Sequence, residues 1–347
     1  MHIGKPRACC PTLNVHDKKM NRSEEEKYLG NIISVEGNSK RNTKDRVSKG
    51  FGIVSNILSI IREIPFGKYK LEVALKLREA MLINGILTNS EVLYGITKNE
   101  ISDLEKVDEY LIRQILQAHS KTPIEMLYLE TGVVPIKYII INRRLSYLKH
   151  ILNTNEHELI RKVYEAQKRR PVENDWILMV QTDKTEINFK YNDEQISAMS
   201  NSQYKKIIKE KVRKAAFESL LERKETHSKV QAIKYDKFYI QEYLSSSKFT
   251  MREKQLLFKL RTRMLDTKNN FKSMYPGNLQ CDYCGSEEQT LRHLLEQCKK
   301  IISNSKLISD NILVEHDYIF GSVSQQLDAI KLFSEIEEVR EKLNLIP

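Results

Sequence analysis

The sequence predicts a mainly α-helical protein with a short N-terminal β-hairpin and a small Cys₃His zinc knuckle near its C-terminus. Its 347 residues include only 12 glycines and 8 prolines, which excludes collagen-like and Pro/Gly-rich disordered chains. Apolar residues recur at helical spacing through most of the chain. At about 150 residues per domain, the length indicates two or three domains.

The charge balance points to an anionic partner. Lys and Arg number 57 against 46 Asp and Glu, which gives a formal net charge of +11. Such an excess favours nucleic acid before a membrane surface as the partner. No apolar run approaches the roughly 20 residues that a bilayer span needs, and the first residues lack a secretory apolar region. We therefore expect a nuclear or cytoplasmic chain with no membrane partner.

The first 37 residues predict the hairpin. Tyr28, Leu29 and Gly30 interrupt an apolar stretch with a glycine turn, and Glu36-Gly37-Asn38 closes it with further turn residues.

A helix is predicted over about 42–62, with an apolar stripe at Val47, Phe51, Val54, Leu58 and Ile61. Cations near its start oppose the helix macrodipole, so they do not serve helix stability. Two explanations stay open, phosphate contact and an ordinary solvated face. These first turns carry Lys40, Arg41, Lys44, Arg46 and Lys49. The predicted nucleic-acid contacts among them are Lys40, Arg41, Lys44 and Lys49.

Further helices are predicted over about 70–93, 100–118 and 135–152, which together with the first indicates a compact bundle with short connections. On the helix over 100–118, Asp108 is expected on the solvated face. Between the last two helices lies a short one, for which Thr122 is the predicted N-cap residue and Gly132 the end.

The pattern weakens over about 153–201, which reads as a connector or variable insertion, and helicity returns over about 203–225. Next come four aromatic residues at helical spacing, Tyr235, Phe238, Tyr239 and Tyr243. They could stack on unpaired bases, but the same spacing is that of a buried helix face, which we favour.

Four metal-ligand side chains fall within 18 residues near the C-terminus, in the pattern Cys-x2-Cys-x8-His-x4-Cys. Four N/S ligands suit tetrahedral Zn2+ in a closed, structural site. Ser286 to Gln289 has the form of a capping box, so a short helix is expected to start there and to carry the histidine. The last cysteine must then lie where that helix ends or unwinds. The predicted ligands are Cys281, Cys284, His293 and Cys298.

A basic helix is predicted immediately upstream, from the capping box at Thr250 to about Leu265. The stretch from Lys248 to Lys272 has a surplus of six positive charges. Phosphate contact is favoured over a half-buried helix whose long side chains reach solvent. On a helical wheel three cations lie within about 40° of one another and two more about 180° away. The first set is Arg252, Lys259 and Arg263, and the second is Lys254 and Arg261.

The sequence lacks the common enzyme motifs. It contains no glycine-rich phosphate loop, no nucleophile elbow and no Asp-Asp doublet to hold two metal ions.

The order of these features resembles the C-terminal part of the reverse transcriptase of a non-LTR (LINE-like) retrotransposon. The segment Met1 to Lys5 is similar to the strand after that family's palm motifs, and Tyr28-Leu29-Gly30 resembles its primer-grip turn. The helical block resembles the thumb, and the cysteine–histidine spacing matches the family's C-terminal zinc knuckle. The resemblance implies six segments in this order: a palm-end hairpin remnant at 1–37, a thumb-like bundle at 38–152, a variable connector at 153–201, a basic helical region at 202–275, a zinc knuckle at 276–300 and a helical tail at 301–347.

The polymerase aspartates of that family would precede the segment corresponding to Met1, so no catalytic residue can be carried over. The resemblance therefore implies a nucleic-acid-binding fragment of an RNA-directed DNA polymerase, inactive alone, that grips template RNA or an RNA–DNA duplex. The alternative is a helical protein-interaction scaffold derived from a mobile element, with an unknown protein partner.

Overall fold

The structure, a computed structural model, is mainly helical, as predicted. It describes residues 14–15, 18–19, 23–28, 30–34, 39–64, 69–93, 95–173, 175–265, 267–270, 272–304 and 319–342. The α-helices are α1 Lys40–Glu63, α2 Lys70–Leu77, α3 Asn84–Ile86, α4 Lys98–Leu116, α5 Ile124–Thr131, α6 Ile136–Asn153, α7 Leu159–Arg169, α8 Trp176–Glu186, α9 Asp193–Ala198, α10 Asn201–Glu225, α11 Glu242–Ser245, α12 Met251–Arg261, α13 Lys299–Asn304 and α14 Val323–Lys342. A π-helical turn, Arg78–Ile83, joins α2 to α3.

Two short antiparallel hairpins precede the helices. β1 Asn14–Val15 pairs with β2 Lys18–Lys19, and β3 Glu25–Tyr28 pairs with β4 Asn31–Ser34. The second is the predicted hairpin, and Gly30 takes the positive φ of +83° that its tight turn requires. Leu29 and the segment Met1 to Lys5 lie outside the described residues, so the resemblance to a primer grip stays a prediction.

The chain forms two compact units, each assembled from separate stretches of sequence. The first unit contains residues 1–61, 74–111 and 134–219. The second contains residues 62–73, 112–133 and 220–347.

In the first unit, α1 packs through a face shifted from the predicted stripe. Phe51 is exposed, whereas Gly50, Val54 and Ile57 are buried. A Cβ at Gly50 would lie 2.8 Å from Val107 Cγ1, so the glycine permits a close approach to α4. Apolar spacing alone does not reveal such a face, because glycine does not count as an apolar position.

Asp108 is a second correction in this unit, since it is buried rather than solvated. Arg78 Nε and Nη2 donate to its two carboxylate oxygens at 2.6 and 2.7 Å, and Arg78 Nη2 also donates to the Val134 carbonyl. The pairing is bidentate, the geometry in which a guanidinium best matches a carboxylate. A periodicity argument assigns any charged residue to the outside and cannot identify a distant partner.

The predicted connector over 153–201 instead contains α7, α8 and α9, and all three pack on α6. Trp176 Nε1 donates to the Glu91 carbonyl at 2.8 Å, and Tyr164 Oη donates to Asp193 at 2.7 Å. These helices are short and bury few side chains each. α7 is strongly amphipathic, whereas α8 has almost no amphipathic periodicity, and tertiary contacts stabilise all three.

In the second unit, α5 ends at Gly132 as predicted, with φ +65°. Its N-cap residue is Pro123 and not Thr122, whose buried hydroxyl has no hydrogen-bond partner. The aromatic stretch after α10 is irregular rather than helical up to α11. Tyr235, Phe238 and Tyr243 are buried, as favoured, but Tyr239 is 63% exposed.

Within the described ranges, no helix combines the length and hydropathy needed to cross a membrane.

Candidate metal centre

The four predicted ligands converge at one point of the second unit. Their ligand atoms all lie within 4.8 Å of one another, so they form a group positioned to bind a metal ion. Cys281 Sγ lies 3.8 Å from Cys298 Sγ, and Cys284 Sγ lies 3.2 Å from His293 Nε2. Cys281, His293 and Cys298 are buried, whereas Cys284 is half-buried.

The Cys-x2-Cys turn holds the first two sulfurs together. Gly285 N donates to the Cys281 carbonyl at 2.8 Å, and Gly285 has a φ of +70° that favours glycine. Cys281 N in turn donates to the Glu287 carbonyl at 2.7 Å. The chain therefore folds back over the turn and fixes the first cysteine from both sides.

The predicted helix start at Ser286 is wrong. Ser286 and Glu287 lie in a bend instead, and Glu288 forms an antiparallel bridge with Gln280. Helical residues begin at Leu291. Thr290 supplies the cap, because its Oγ1 accepts a hydrogen bond from His293 N at 2.9 Å.

A π-helical turn explains how His293 and Cys298 reach the same point. Five α-helical residues cover about 500°, which would set the two side chains about 140° apart. The segment His293–Gln297 is instead π-helical, and Cys298 N donates to the His293 carbonyl at 2.7 Å. This i→i+5 bond places the two ligands one above the other. Cys298 is the C-cap residue, so the prediction that it lies where the helix ends is confirmed.

The His293 ring is oriented by a second contact. Its Nδ1 lies 3.1 Å from Glu287 Oε2, and its Nε2 faces Cys284. A carboxylate on one ring nitrogen fixes the tautomer that leaves the other free as a ligand. Glu287, which the sequence pattern did not identify as part of the site, therefore belongs to it.

The three thiols have different acidities. Burial raises the pKa of Cys281 to about 12 and also raises that of Cys298. Burial acts on Cys284 in the same direction, but hydrogen bonds from Ser286, together with those from His293 and Cys281, outweigh it and lower its pKa to about 6. Cys284 is thus the thiol that is ready as a thiolate at neutral pH.

One of the ligand separations matches that of a tetrahedral zinc site. With Zn–S bonds of about 2.3 Å, two sulfurs at a tetrahedral angle lie about 3.8 Å apart. Cys281 and Cys298 have this separation. Four protein ligands complete the coordination and leave no position for a reactive water, which is typical of a structural site.

The basic helix upstream is corrected in part. Lys254 and Arg261 are buried, so they are not surface contacts. Arg261 Nε donates to Glu130 Oε2 at 2.9 Å, and its guanidinium lies over the rings of Tyr243 and Phe320. The wheel predicted two opposite cationic sides but not which one the fold would cover.

The other predicted side of this helix is only partly accessible, and Arg263 lies beyond the helix, because α12 ends at Arg261 rather than near Leu265 as predicted and Arg263 has a φ of +59°. Arg252 is exposed, and Lys259 and Arg263 are half-buried. The chain just after this helix is joined to the metal centre by Lys268, whose N donates to Gln289 Oε1 at 3.2 Å and whose Nζ donates to the Gln280 carbonyl at 3.0 Å.

In the first unit, Lys40, Arg41, Lys44 and Lys49 are exposed, whereas Arg46 is buried and donates to the Ile86 and Thr88 carbonyls. Arg41 Nε lies 3.3 Å from Glu25 Oε2, and Lys49 Nζ lies 2.6 Å from Asp45 Oδ2. Exposed pairs of this kind contribute little to stability and can exchange for phosphate.

No protein-family model matches the chain, and no curated protein or solved structure is significantly similar to it.

Proposed function

We propose that this chain is a nucleic-acid-binding protein, the C-terminal part of a LINE-like reverse transcriptase, that grips RNA or an RNA–DNA duplex through its phosphates. The observation that carries the proposal is a group of cations on α12 and just after it, of which Arg252 is exposed and Lys259 and Arg263 are half-buried. Lys40, Arg41, Lys44 and Lys49 on α1 support it from the first unit. Phosphate contact of this kind is largely independent of base sequence.

Zinc is the metal we propose for the site, held by Cys281, Cys284, His293 and Cys298. It would supply a structural cross-link and no chemistry. By fixing the segment around Gln280 and Gln289, the cross-link would hold Lys268 and, through it, the end of α12. Binding of nucleic acid would place the protein in the nucleus or the cytoplasm.

The test is the salt dependence of binding to an RNA–DNA duplex. Removing one phosphate-binding cation should lower the slope of log affinity against log salt by about 1. The triple variant Arg252→Gln/Lys259→Gln/Arg263→Gln should therefore weaken binding and reduce the slope by about 2 to 3. No affinity of the unmodified protein at low salt would contradict the proposal.

A matched control removes the same charges elsewhere. Lys162, Arg169 and Arg170 are all exposed, at α7 and its C-terminal end. Their replacement by glutamine changes the net charge equally, but the slope should change by much less. If both triple variants behave alike, general charge attraction rather than α12 explains the binding.

One observation favours the alternative function, a protein-interaction scaffold. Leu159, Val163 and Val172 are exposed apolar residues on α7 and just beyond it, at 76%, 48% and 66%. Exposed apolar side chains one helical turn apart, as Leu159 and Val163 are, can contribute to a protein-binding surface. Heparin should displace a nucleic acid from the chain but should leave a protein bound through these side chains in place.

A further inference from the structure

The irregular segment between α10 and α11 borders a solvent-open groove that the proposed function does not use. Its volume is about 380 Å³. Besides Tyr235 and Ile240, the groove is lined by an exposed tyrosine, two cations, two carboxylates and an amide. These lining residues are Tyr239, Lys234, Lys237, Asp236, Glu242 and Gln241.

The segment that carries Tyr239 is held firmly at both ends. Upstream, Tyr235 Oη donates to the buried Glu130 carboxylate. Downstream, Gln241 N donates to the Glu130 carbonyl at 2.9 Å. Between them the backbone passes so close to Gly132 that a Cβ there would lie 2.3 Å from Ile240 N. An exposed tyrosine on a fixed backbone loses little conformational freedom when it binds a ligand.

The chemistry of the groove matches a nucleotide rather than a duplex. An exposed ring offers a stacking surface for any base, and stacking is possible only for a base that is unpaired. The carboxylates of Asp236 and Glu242 can accept hydrogen bonds from amino groups on a base edge. Lys234 and Lys237 supply charge for the adjoining phosphates. A duplex buries its base faces and would leave Tyr239 unused.

We infer that this groove binds one unpaired nucleotide of a single strand, with its base stacked on Tyr239 and its phosphates beside Lys234 and Lys237. The inference rests on the proposed function and extends it, because the cations of α12 do not distinguish single strands from duplexes, whereas this groove does. The protein would therefore hold single-stranded and paired segments at different places.

The test compares two RNA probes on the full-length, metal-loaded protein. One is a 12-nucleotide single strand of mixed sequence that cannot pair with itself (length chosen from the roughly 4–16 nucleotides such sites cover). The other is the same strand annealed to its complement. Tyr239→Ala should weaken single-strand binding about 5- to 100-fold and leave duplex binding unchanged. Tyr239→Phe should retain both, because it keeps the ring.

Tyr69→Ala is the matched control, since Tyr69 is also an exposed tyrosine of the second unit, at 56%. It should change neither affinity. Ultraviolet cross-linking of a single strand that carries one 4-thiouridine should attach the label to a peptide that contains residues 234–242. This second readout does not depend on the stability of any variant.

The possible failures are distinguishable. If Tyr239→Ala, Tyr239→Phe and the unmodified protein bind the single strand equally well, the inferred nucleotide site is wrong. Duplex binding by the same proteins would still support the proposed function. Equal losses in Tyr239→Ala and Tyr69→Ala, or cross-links only outside 234–242, also overturn the inferred nucleotide site. Failure of the unmodified protein to bind either probe overturns the proposed function and the groove together.

Discussion

Replacing Arg261 tests whether this cation belongs to the interior rather than to a nucleic-acid surface. Arg261 is paired with Glu130, which is completely buried. In the variant Arg261→Met the Glu130 carboxylate retains the Tyr235 hydroxyl but loses its counter-ion. Removing one partner of a buried ion pair costs about 3–5 kcal/mol, because the remaining charge is uncompensated. Methionine keeps most of the apolar stem, so a change in packing adds little.

The double variant Arg261→Met/Glu130→Gln removes the stranded charge and should be more stable than Arg261→Met. We expect an interaction energy of at least about 2 kcal/mol in the double-mutant cycle. Urea unfolding followed by far-ultraviolet circular dichroism measures all four proteins. If the stability losses of the two single variants add up to that of the double variant within about 0.5 kcal/mol, the buried ion pair is refuted. The folded double variant should also keep the salt slope of duplex binding, and a slope lowered by about 1 would make Arg261 a phosphate contact after all.

Two further predictions concern the metal centre and a close backbone contact. The pKa values of Cys281 and Cys298 are raised, and that of Cys284 is lowered to about 6. Zinc binding at pH 7.5 should therefore release about two thiol protons. The affinity for zinc should rise about 100-fold per pH unit between pH 7.5 and 8.5, because rising pH removes the competing protons. Calorimetry in two buffers of different ionisation enthalpy counts the protons, and release of none would contradict this assignment of the thiols. Gly132→Ala should destabilise the second unit by more than about 2 kcal/mol, because the strained φ is joined by a clash with Ile240 N. Gly277→Ala is the control, since its φ is also positive but nothing lies within 4 Å of an added Cβ; equal losses of stability on thermal unfolding would remove the clash as the cause.

Local signals predicted much of the fold. The glycine turn of the hairpin, the capping box at Thr250 and the end of α5 at Gly132 are each set by residues close in sequence. The ligand spacing likewise predicted that Cys281, Cys284, His293 and Cys298 converge. Where a few neighbouring residues determine the geometry, the sequence is sufficient.

Features that depend on distant partners were not predictable in the same way. Asp108 and Arg261 are charged residues whose burial follows from Arg78 and Glu130, far away along the chain. Among the helices over 153–201, α8 has almost no amphipathic periodicity, and tertiary contacts such as that of Trp176 with Glu91 support it. The π-helical turn before Cys298 is rare, so no general rule anticipates it.

The same limit applies to the surface. A helical wheel predicted two cationic sides of α12 but could not decide that Lys254 would be buried while Arg252 stays exposed. The exposure of Tyr239 also came from the fold, because helical spacing had predicted burial for all four aromatic residues of that segment.

X-ray absorption at the zinc edge, on protein purified without chelator, tests the central claim most directly. The predicted result is one zinc per chain with three sulfur neighbours at about 2.3 Å and one nitrogen at about 2.0 Å. In the variant Cys298→Ser the number of sulfur neighbours should fall to two. Failure of the reconstituted protein to bind zinc would contradict the claim. Zinc with oxygen neighbours, and a sulfur count that does not change in Cys298→Ser, would contradict it as well.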